Sequence, residues 1–162
     1  MAFVKRDLIS TSQNPDIKWI VVYFHHPMYV SPSKHSSDSL LRDTYHPLFD
    51  QYGVDLVLQG HNHNYQRSYP LAYKNNNNNN NNNDISSNPI ITSAYTNTYN
   101  NPIGEIYVTA GTAGRALHDL GSKADFIATQ YKVFGFLNVD KSSDEQSLYV
   151  HSTLFRIRIA YV

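Results

Sequence analysis

The sequence predicts an α/β fold that begins with a strand–helix–strand unit and continues with mostly β structure. Three observations support this prediction. Residues 19–24 form a short apolar run rich in β-branched side chains, which is typical of a strand covered on both faces. Apolar side chains then recur at helical spacing over residues 40–52. Residues 54–58 form a second apolar run, so two parallel strands joined by a right-handed crossover are expected.

The elements of this unit have boundary signals of their own. Pro27 ends the first strand, because proline has no N–H for the sheet ladder. Asp38 or Ser39 is expected to cap the start of the helix, and Gly53 to follow its end. Pro47 within the helical segment predicts either a kink or two short helices, the second beginning at Pro47.

The remainder of the chain is strand-rich and contains one low-complexity segment. Strands are predicted at residues 65–73, 105–110, 132–139 and 147–155, with the tail 156–162 extending the last of them. Residues 75–83 are nine consecutive asparagines, and about 74–102 is predicted to be a disordered Asn-rich insertion. The pattern indicates a mixed sheet or two packed sheets in one partial domain spanning 1–162.

Composition limits the function. The chain has 162 residues, the size of one domain or of a piece of a larger one, and its formal net charge is +0. No broad basic field attracts nucleic acid or anionic lipid, so neither nucleic acid nor membrane is an expected partner. Without cysteines, disulfides, thiolate metal sites and a cysteine nucleophile are excluded. No apolar stretch is long enough for a transmembrane helix, and no signal peptide is recognised in the first ten residues. The compartment is left open.

The strongest chemical signal is a group of histidines. Six of the eight fall within 39 residues, at positions 25, 26, 35, 46, 61 and 63. Gly60-His61-Asn62-His63 follows the second strand, and ligands in open α/β sheets bind beyond the carboxyl ends of strands. His25 follows the neighbouring strand, so His25, His61 and His63 are expected to converge on a metal site of nitrogen and oxygen ligands. Two histidines on an exposed loop remain the alternative.

Other histidines have less certain roles. Adjacent strand residues point in opposite directions, so His26 is expected to pack beside a ligand or support it. His35, in the loop after the first strand, could donate a proton to a leaving alkoxide or bind a phosphate oxygen, or be solvated. His46 is interpreted as structural, and an approach of His118 to the metals is left open.

These motifs resemble a known family. The stretch W-I-V-V-Y-F-H-H-P-M-Y and the later Q-Y-G-V-D-L-V-L-Q-G-H-N-H-N-Y-Q-R-S-Y-P-L resemble the second half of the calcineurin-like metallophosphoesterases. The Gly-His-x-His-x-Tyr-x-Arg form resembles the purple acid phosphatase branch in particular. The resemblance is dense over residues 19–72 and loose over 103–155. It implies the C-terminal half of a four-layer α/β/β/α sandwich.

The resemblance also implies a chemistry. His25 and His61 would bind one metal and His63 the other, while His35 matches a region that supplies histidines for the substrate phosphate and the leaving group. Tyr65 and Arg67 would support the site or contact the substrate. The implied metals are Fe with Zn or Mn. The implied reaction is hydrolysis of a small-molecule or protein phosphoester by a metal-bound hydroxide at a binuclear centre.

The chain departs from the family pattern in its carboxylates. The first half of the family supplies metal ligands in Gly-Asp and Gly-Asn-His motifs, and this sequence contains neither. A missing N-terminal half or another chain is therefore expected to complete the centre. The alternative is a catalytically inactive fragment, or a half-domain that binds metal or a partner. A carbohydrate- or protein-binding module, suggested by 13 tyrosines, lacks a convergent site.

Overall fold

The computed structural model describes residues 2–74, 89–95, 97–142, 147–152 and 159–161. These residues form two helices, α1 (Ala2–Ser12) and α2 (Ser39–Tyr52), neither of which is long and apolar enough to cross a bilayer. They also form eleven strands: β1 (Val21–Tyr23), β2 (Leu56–Gln59), β3 (Tyr65–Ser68), β4 (Leu71–Ala72), β5 (Ile90–Ile91), β6 (Thr98–Tyr99), β7 (Ile106–Ala110), β8 (Ile127–Tyr131), β9 (Leu137–Lys141), β10 (Leu148–Ser152) and β11 (Ile159–Tyr161).

The main sheet has five strands in the order β1-β2-β7-β3-β8. Strands β1, β2 and β7 are parallel, whereas β3 runs antiparallel to both β7 and β8. Val22 of β1 lies opposite Val57 of β2, and α2 connects the two strands. The predicted strand–helix–strand unit is therefore confirmed. A second sheet has the order β6-β11-β10-β9, and β4 pairs with β5 in a separate ribbon.

Side chains of the main sheet alternate between two cores, because successive strand residues point to opposite faces. Ile106 and Val108 pack with Val150 of the second sheet. Tyr107 lies on the other face, in a core shared with Leu8 of α1 and Phe49 of α2. The result is a helical layer, a mixed sheet and a second sheet. The predicted two packed sheets are confirmed, and the described residues do not form a second helical layer.

Helix α2 has the predicted caps. The Asp38 carboxylate accepts a hydrogen bond from the N–H of Leu41, and Gly53 adopts a φ of 66° as its N–H bonds the carbonyl of Phe49. The helix runs through Pro47 without interruption, so the expectation of two short helices is wrong. Burial of His46 and Phe49 on the inner face offsets the hydrogen bond that proline removes.

The first strand is shorter and more exposed than predicted. Strand β1 is an edge strand, paired with β2 alone among the described residues. Val21 is 38% exposed and Tyr23 is 81% exposed, so the expectation that this strand is covered on both faces is wrong. The preceding helix α1 was not predicted, because its pattern is weak and it buries only Leu8.

Later strands depart from the predicted boundaries. The segment 65–73 divides into β3 and β4, which belong to different sheets, because Pro70 cannot continue the ladder. Strand β8 precedes the predicted strand at 132–139, of which only the end is formed, as β9. Strand β11 is a separate antiparallel partner of β10 rather than its extension.

The predicted insertion at about 74–102 contains two described strands. Strands β5 and β6 lie within it, and Tyr99 of β6 is buried in the core between the sheets. The prediction of disorder is therefore wrong for these segments, since an apolar anchor fixes at least one of them. Residues 75–88, which include the run of asparagines, lie outside the described residues.

Candidate metal site

The two histidine segments meet at one edge of the main sheet. His25 and His26 follow β1, and His61 follows β2, so the parallel strands deliver all three to the same end. The carbonyl of His25 accepts a hydrogen bond from the N–H of Gly60 at 3.0 Å. Across this link, Nε2 of His25 lies 3.1 Å from Nδ1 of His61. His61 adopts a φ of 66°, which is uncommon for a residue with a side chain and often marks a functional loop.

Three imidazoles form a group compatible with a metal ion. Ring nitrogens of His25, His26 and His61 all lie within 4.8 Å of one another. Burial and the neighbouring histidines, His35 first, lower the pKa of His61, which favours the neutral ring that binds metals. Imidazoles suit Zn and Fe, so this donor set fits a transition metal.

The direction of the His26 side chain differs from the prediction, whereas its expected role beside a ligand stays a prediction. Its ring centroid lies 4.6 Å from that of His61 and 5.4 Å from that of His25, so the two adjacent histidines do not point in opposite directions. The reason is that β1 ends at Tyr23, and residues 25–26 lie in a bend where strand alternation no longer applies. His26 also approaches Asp38, with Nδ1 and Oδ2 3.8 Å apart.

His63 lies outside this group of three and contacts His118. The two rings stack at 4.0 Å between centroids, and the N–H of His63 donates to Nδ1 of His118 at 3.1 Å. Nδ1 of His63 lies 2.8 Å from the carbonyl of Ala116. Since a carbonyl only accepts, Nδ1 carries the proton and Nε2 keeps a free lone pair for a metal. His118 therefore contacts His63, an approach that the sequence alone does not decide.

The ring of His35 lies against that of His61, with 3.8 Å between the two centroids. The side chain of Asn62 holds the backbone of His35 in place. Oδ1 of Asn62 accepts from the N–H of His35 at 3.0 Å, and Nδ2 donates to the carbonyl of His35 at 2.9 Å. Because Asn62 is fully buried, this pair of hydrogen bonds fixes the loop rather than exchanging with water.

Sequence reasoning missed a row of buried amides that alternates with the histidines. Asn62, Asn64 and Gln66 are all fully buried. Asn64 donates to Oγ of Ser33 at 3.0 Å, and Gln66 accepts from the N–H of Ser31 at 2.6 Å. The loop that carries His35 is therefore bound along its length. The signal was the spacing of two between the amides, but residues 61–64 lie in a bend and only Gln66 belongs to a strand, so strand alternation alone could not place all three.

Gly111 packs against the segment that carries His61 and His63. A Cβ built on Gly111 would lie 2.0 Å from the carbonyl oxygen of Asn62 and 3.2 Å from the Cα of His63. The N–H of Gly111 also donates to the carbonyl of Asn64 at 3.3 Å. The absence of a side chain at this position lets the backbone after β7 pack directly against the segment that presents the imidazoles.

Tyr65 and Arg67 occupy the core rather than the open face. Tyr65 is 4% exposed and stacks on Tyr131, while Arg67 is 1% exposed and donates to the hydroxyl of Tyr99 at 2.9 Å. Of the two predicted roles for this pair, support of the site and contact with the substrate, their burial favours support. Both side chains extend from β3 into the space between the two sheets, so they support the strand that follows His63.

Open grooves flank the histidines. One has a volume of about 490 Å³ and is lined by residues that include His26, His35 and His61. The other has about 580 Å³ and runs along His118 and Asp119. Lys34 lines both grooves, which places a cation beside the imidazoles where an anionic ligand would gain from it.

Comparison with known proteins identifies the family of the chain. Residues 3–65 match the family model described as calcineurin-like phosphoesterase. The chain is 30% identical over 139 residues to phosphoenolpyruvate phosphatase of Allium cepa, covering 84% of this chain and 24% of that protein. It is also 30% identical to acid phosphatase A of Cryphonectria parasitica, covering 69% of this chain and 18% of that protein. The chain belongs to the calcineurin-like phosphoesterases. Within that family it is purple acid phosphatase-like.

Comparison with solved structures bears on the fold. A purple acid phosphatase from seeds of yellow lupin (Lupinus luteus) superposes with a TM-score of 0.79 at 19% identity, covering 99% of this chain and 28% of that chain. The fold is therefore the α/β metallophosphoesterase fold. The chain spans about a quarter or less of the two curated relatives named above.

Proposed function

We propose that this chain supplies the histidine side of a metal-dependent phosphoester hydrolase site. The observation that carries the proposal is the convergence of His25 and His61 at adjacent parallel strand ends, with His35 held above them. Phosphatases among the chain's relatives and its family membership support the hydrolysis of phosphoric esters.

Each histidine has a proposed role. His25 and His61 hold one cation and His63 holds a second through its free Nε2, with Fe and either Zn or Mn as the pair that the family resemblance implies. When bound, such cations supply Lewis-acid charge stabilisation and an activated water. His35 donates a proton to the leaving oxygen or binds a phosphate oxygen, and Lys34 attracts the anionic substrate.

Additional ligands are proposed to come from outside this chain. Among the described residues, the carboxylate next to the group of three is Asp38, which faces His26 at 3.8 Å. Imidazoles without carboxylates leave the charge of two cations largely uncompensated. The open edge of β1, with Val21 and Tyr23 exposed, is consistent with an added strand. This edge also favours a second candidate, a half-domain that binds metal or a partner without catalysis.

The test combines metal analysis with turnover of p-nitrophenyl phosphate. His61→Ala is compared with Ser36→Ala, an exposed position in the loop that carries His35. The hydrolase is supported if turnover depends on metal, is lost in His61→Ala and is kept in Ser36→Ala. Metal binding with the same dependence but no turnover favours the half-domain. Equal metal affinity in the two variants would contradict both candidates.

A further inference from the structure

A second polar cluster lies between α2 and the main sheet, and it shares no residue with the histidine site. His46 and Asp50 project from adjacent turns of α2, and Glu105 lies directly before β7. The carbonyl of Leu71 in β4 completes the group. One atom each from His46, Asp50 and Glu105 lies within 4.8 Å of the others.

More oxygens surround one ring nitrogen in this cluster than a single N–H can bind. Nε2 of His46 lies 3.0 Å from Oε2 of Glu105, 3.5 Å from Oδ1 of Asp50 and 3.3 Å from the carbonyl of Leu71. A single ring N–H can satisfy one of these three oxygens well. Four ligands about 2.0–2.1 Å from a tetrahedral Zn²⁺ are themselves about 3.3–3.4 Å apart, close to the observed separations.

The far side of the His46 ring is also arranged for a metal ligand. Nδ1 lies 2.8 Å from the hydroxyl of Tyr29, which is itself buried. Histidines that bind a metal through one nitrogen usually donate the other N–H to an oxygen, which fixes the orientation of the ring. Asp50 is held in a similar way, because its Oδ2 accepts a hydrogen bond from the N–H of Tyr73 at 2.8 Å.

Glu105 provides the independent sign of a ligand. Its side chain is fully buried, yet Oε1 has no hydrogen-bond partner among the described residues. The other oxygen, Oε2, lies 3.0 Å from Nε2 of His46 and accepts from the hydroxyl of Tyr107 at 3.4 Å, so only one of the two carboxylate oxygens has partners. A cation bound by both oxygens would satisfy Oε1.

We propose that His46, Asp50 and Glu105, with the carbonyl of Leu71, form a structural binding site for a divalent cation of the Zn²⁺ type. One imidazole with two carboxylates selects such a cation over Mg²⁺ or Ca²⁺, which prefer all-oxygen sites. The ion would join α2 to β4 and to the start of β7. It enters from the side of Asp50, whose side chain is 29% exposed, whereas His46 and Glu105 are inaccessible.

The test uses the His25→Ala/His61→Ala/His63→Ala triple variant, in which every histidine proposed to bind a cation at the first site is removed. The expected result is one Zn²⁺ per chain by elemental analysis, with a rise in Tm of about 5–10 °C at a hundredfold excess over Kd. Glu105→Gln added to this background abolishes both effects. Asp50→Asn, at the rim, weakens Zn²⁺ binding at least tenfold and keeps the test valid if Glu105→Gln does not fold.

Asp43→Asn is the matched control, since Asp43 lies on the same helix with its side chain 55% exposed. It should bind Zn²⁺ as the background does. If the background binds no Zn²⁺, or if binding survives both Glu105→Gln and Asp50→Asn, the cluster is a buried ion pair only and the proposal is wrong. The result does not depend on the hydrolase function, because the histidine site is absent throughout.

Discussion

Replacing Gly111 with alanine should displace residues 62–63 without substituting any histidine that is proposed to bind a metal. The added Cβ would lie 2.0 Å from the carbonyl oxygen of Asn62, whereas real Cβ atoms essentially never approach within 3.0 Å. The φ of Gly111 is not positive, so the effect is one of space rather than backbone strain. The contact is with backbone, which cannot rotate away. Residues 62–63 must therefore move by about 1 Å, a shift that is large for a preorganised site.

Two magnitudes follow from this overlap. Overpacking of this kind costs about 1–3 kcal/mol of folding free energy. Disturbing the support of a metal ligand weakens metal affinity by about 10–100-fold. Gly60→Ala is the matched control, because its Cβ would lie 3.5 Å from Nδ1 of His25, an ordinary contact next to the same histidines. It should change neither quantity appreciably.

The assay is Zn²⁺ competition against a chromogenic chelator, with circular dichroism to confirm folding. Both glycine variants are made in the Asp50→Asn background, which weakens the second proposed cation site. The measured Zn²⁺ affinity is then mainly that of the histidine site. A folded Gly111→Ala protein that binds Zn²⁺ as tightly as Gly60→Ala would refute the argument. It would mean that the segment after β2 adjusts freely and that its position does not set the ligand geometry.

Three further predictions concern the fold. Burial raises the pKa of Asp55 to about 6, so the folded state holds this proton more tightly than the unfolded chain does. The free energy of unfolding should therefore fall as the pH rises from about 4 to 6. In denaturant titrations at several pH values, Asp55→Asn should flatten this part of the stability–pH profile. Tyr99→Phe removes the hydroxyl that Arg67 donates to and should cost about 1.5–3 kcal/mol, whereas the exposed Tyr95→Phe should cost under about 0.5 kcal/mol in the same urea titration. Asp38→Ala removes the N-cap of α2 and should lower stability by about 1 kcal/mol, and an unchanged urea midpoint would contradict the capping role.

Local sequence signals predicted the unit that carries the site, and long-range contacts decided the rest. The order β1-α2-β2 is predictable from apolar periodicity and helix caps within about 40 residues. The placement of His25 and His61 at one edge of the sheet follows from it, because each residue comes after one of the two parallel strands. The bend after β1 brought His26 into the group, and nothing in the local pattern distinguishes a bend from two more strand residues. The approach of His118 depends on a turn 55 residues away from His63.

The core role of Arg67 illustrates the same limit. A family motif places the arginine near the histidines in sequence, and strand alternation alone leaves its face undetermined. Its partner Tyr99 comes from a segment predicted to be disordered, so the buried contact was not visible from composition. The Asn-rich run itself lies outside the described residues, and the prediction for it stays a prediction.

The position of β7 has a consequence for how the molecule folds. This strand separates β2 from β3 in the sheet, although β2 and β3 are joined by only a few residues and β7 begins about 38 residues after β3 ends. The connection that carries Gly60 to Asn64 therefore spans the end of a strand that is synthesised later. Until β7 inserts, β2 and β3 lack the strand that pairs with both of them, and the connection between them has no backbone packed beneath it. Metal-binding competence should thus appear together with global folding, as a late and non-local event, and not as an early local nucleus around the histidines.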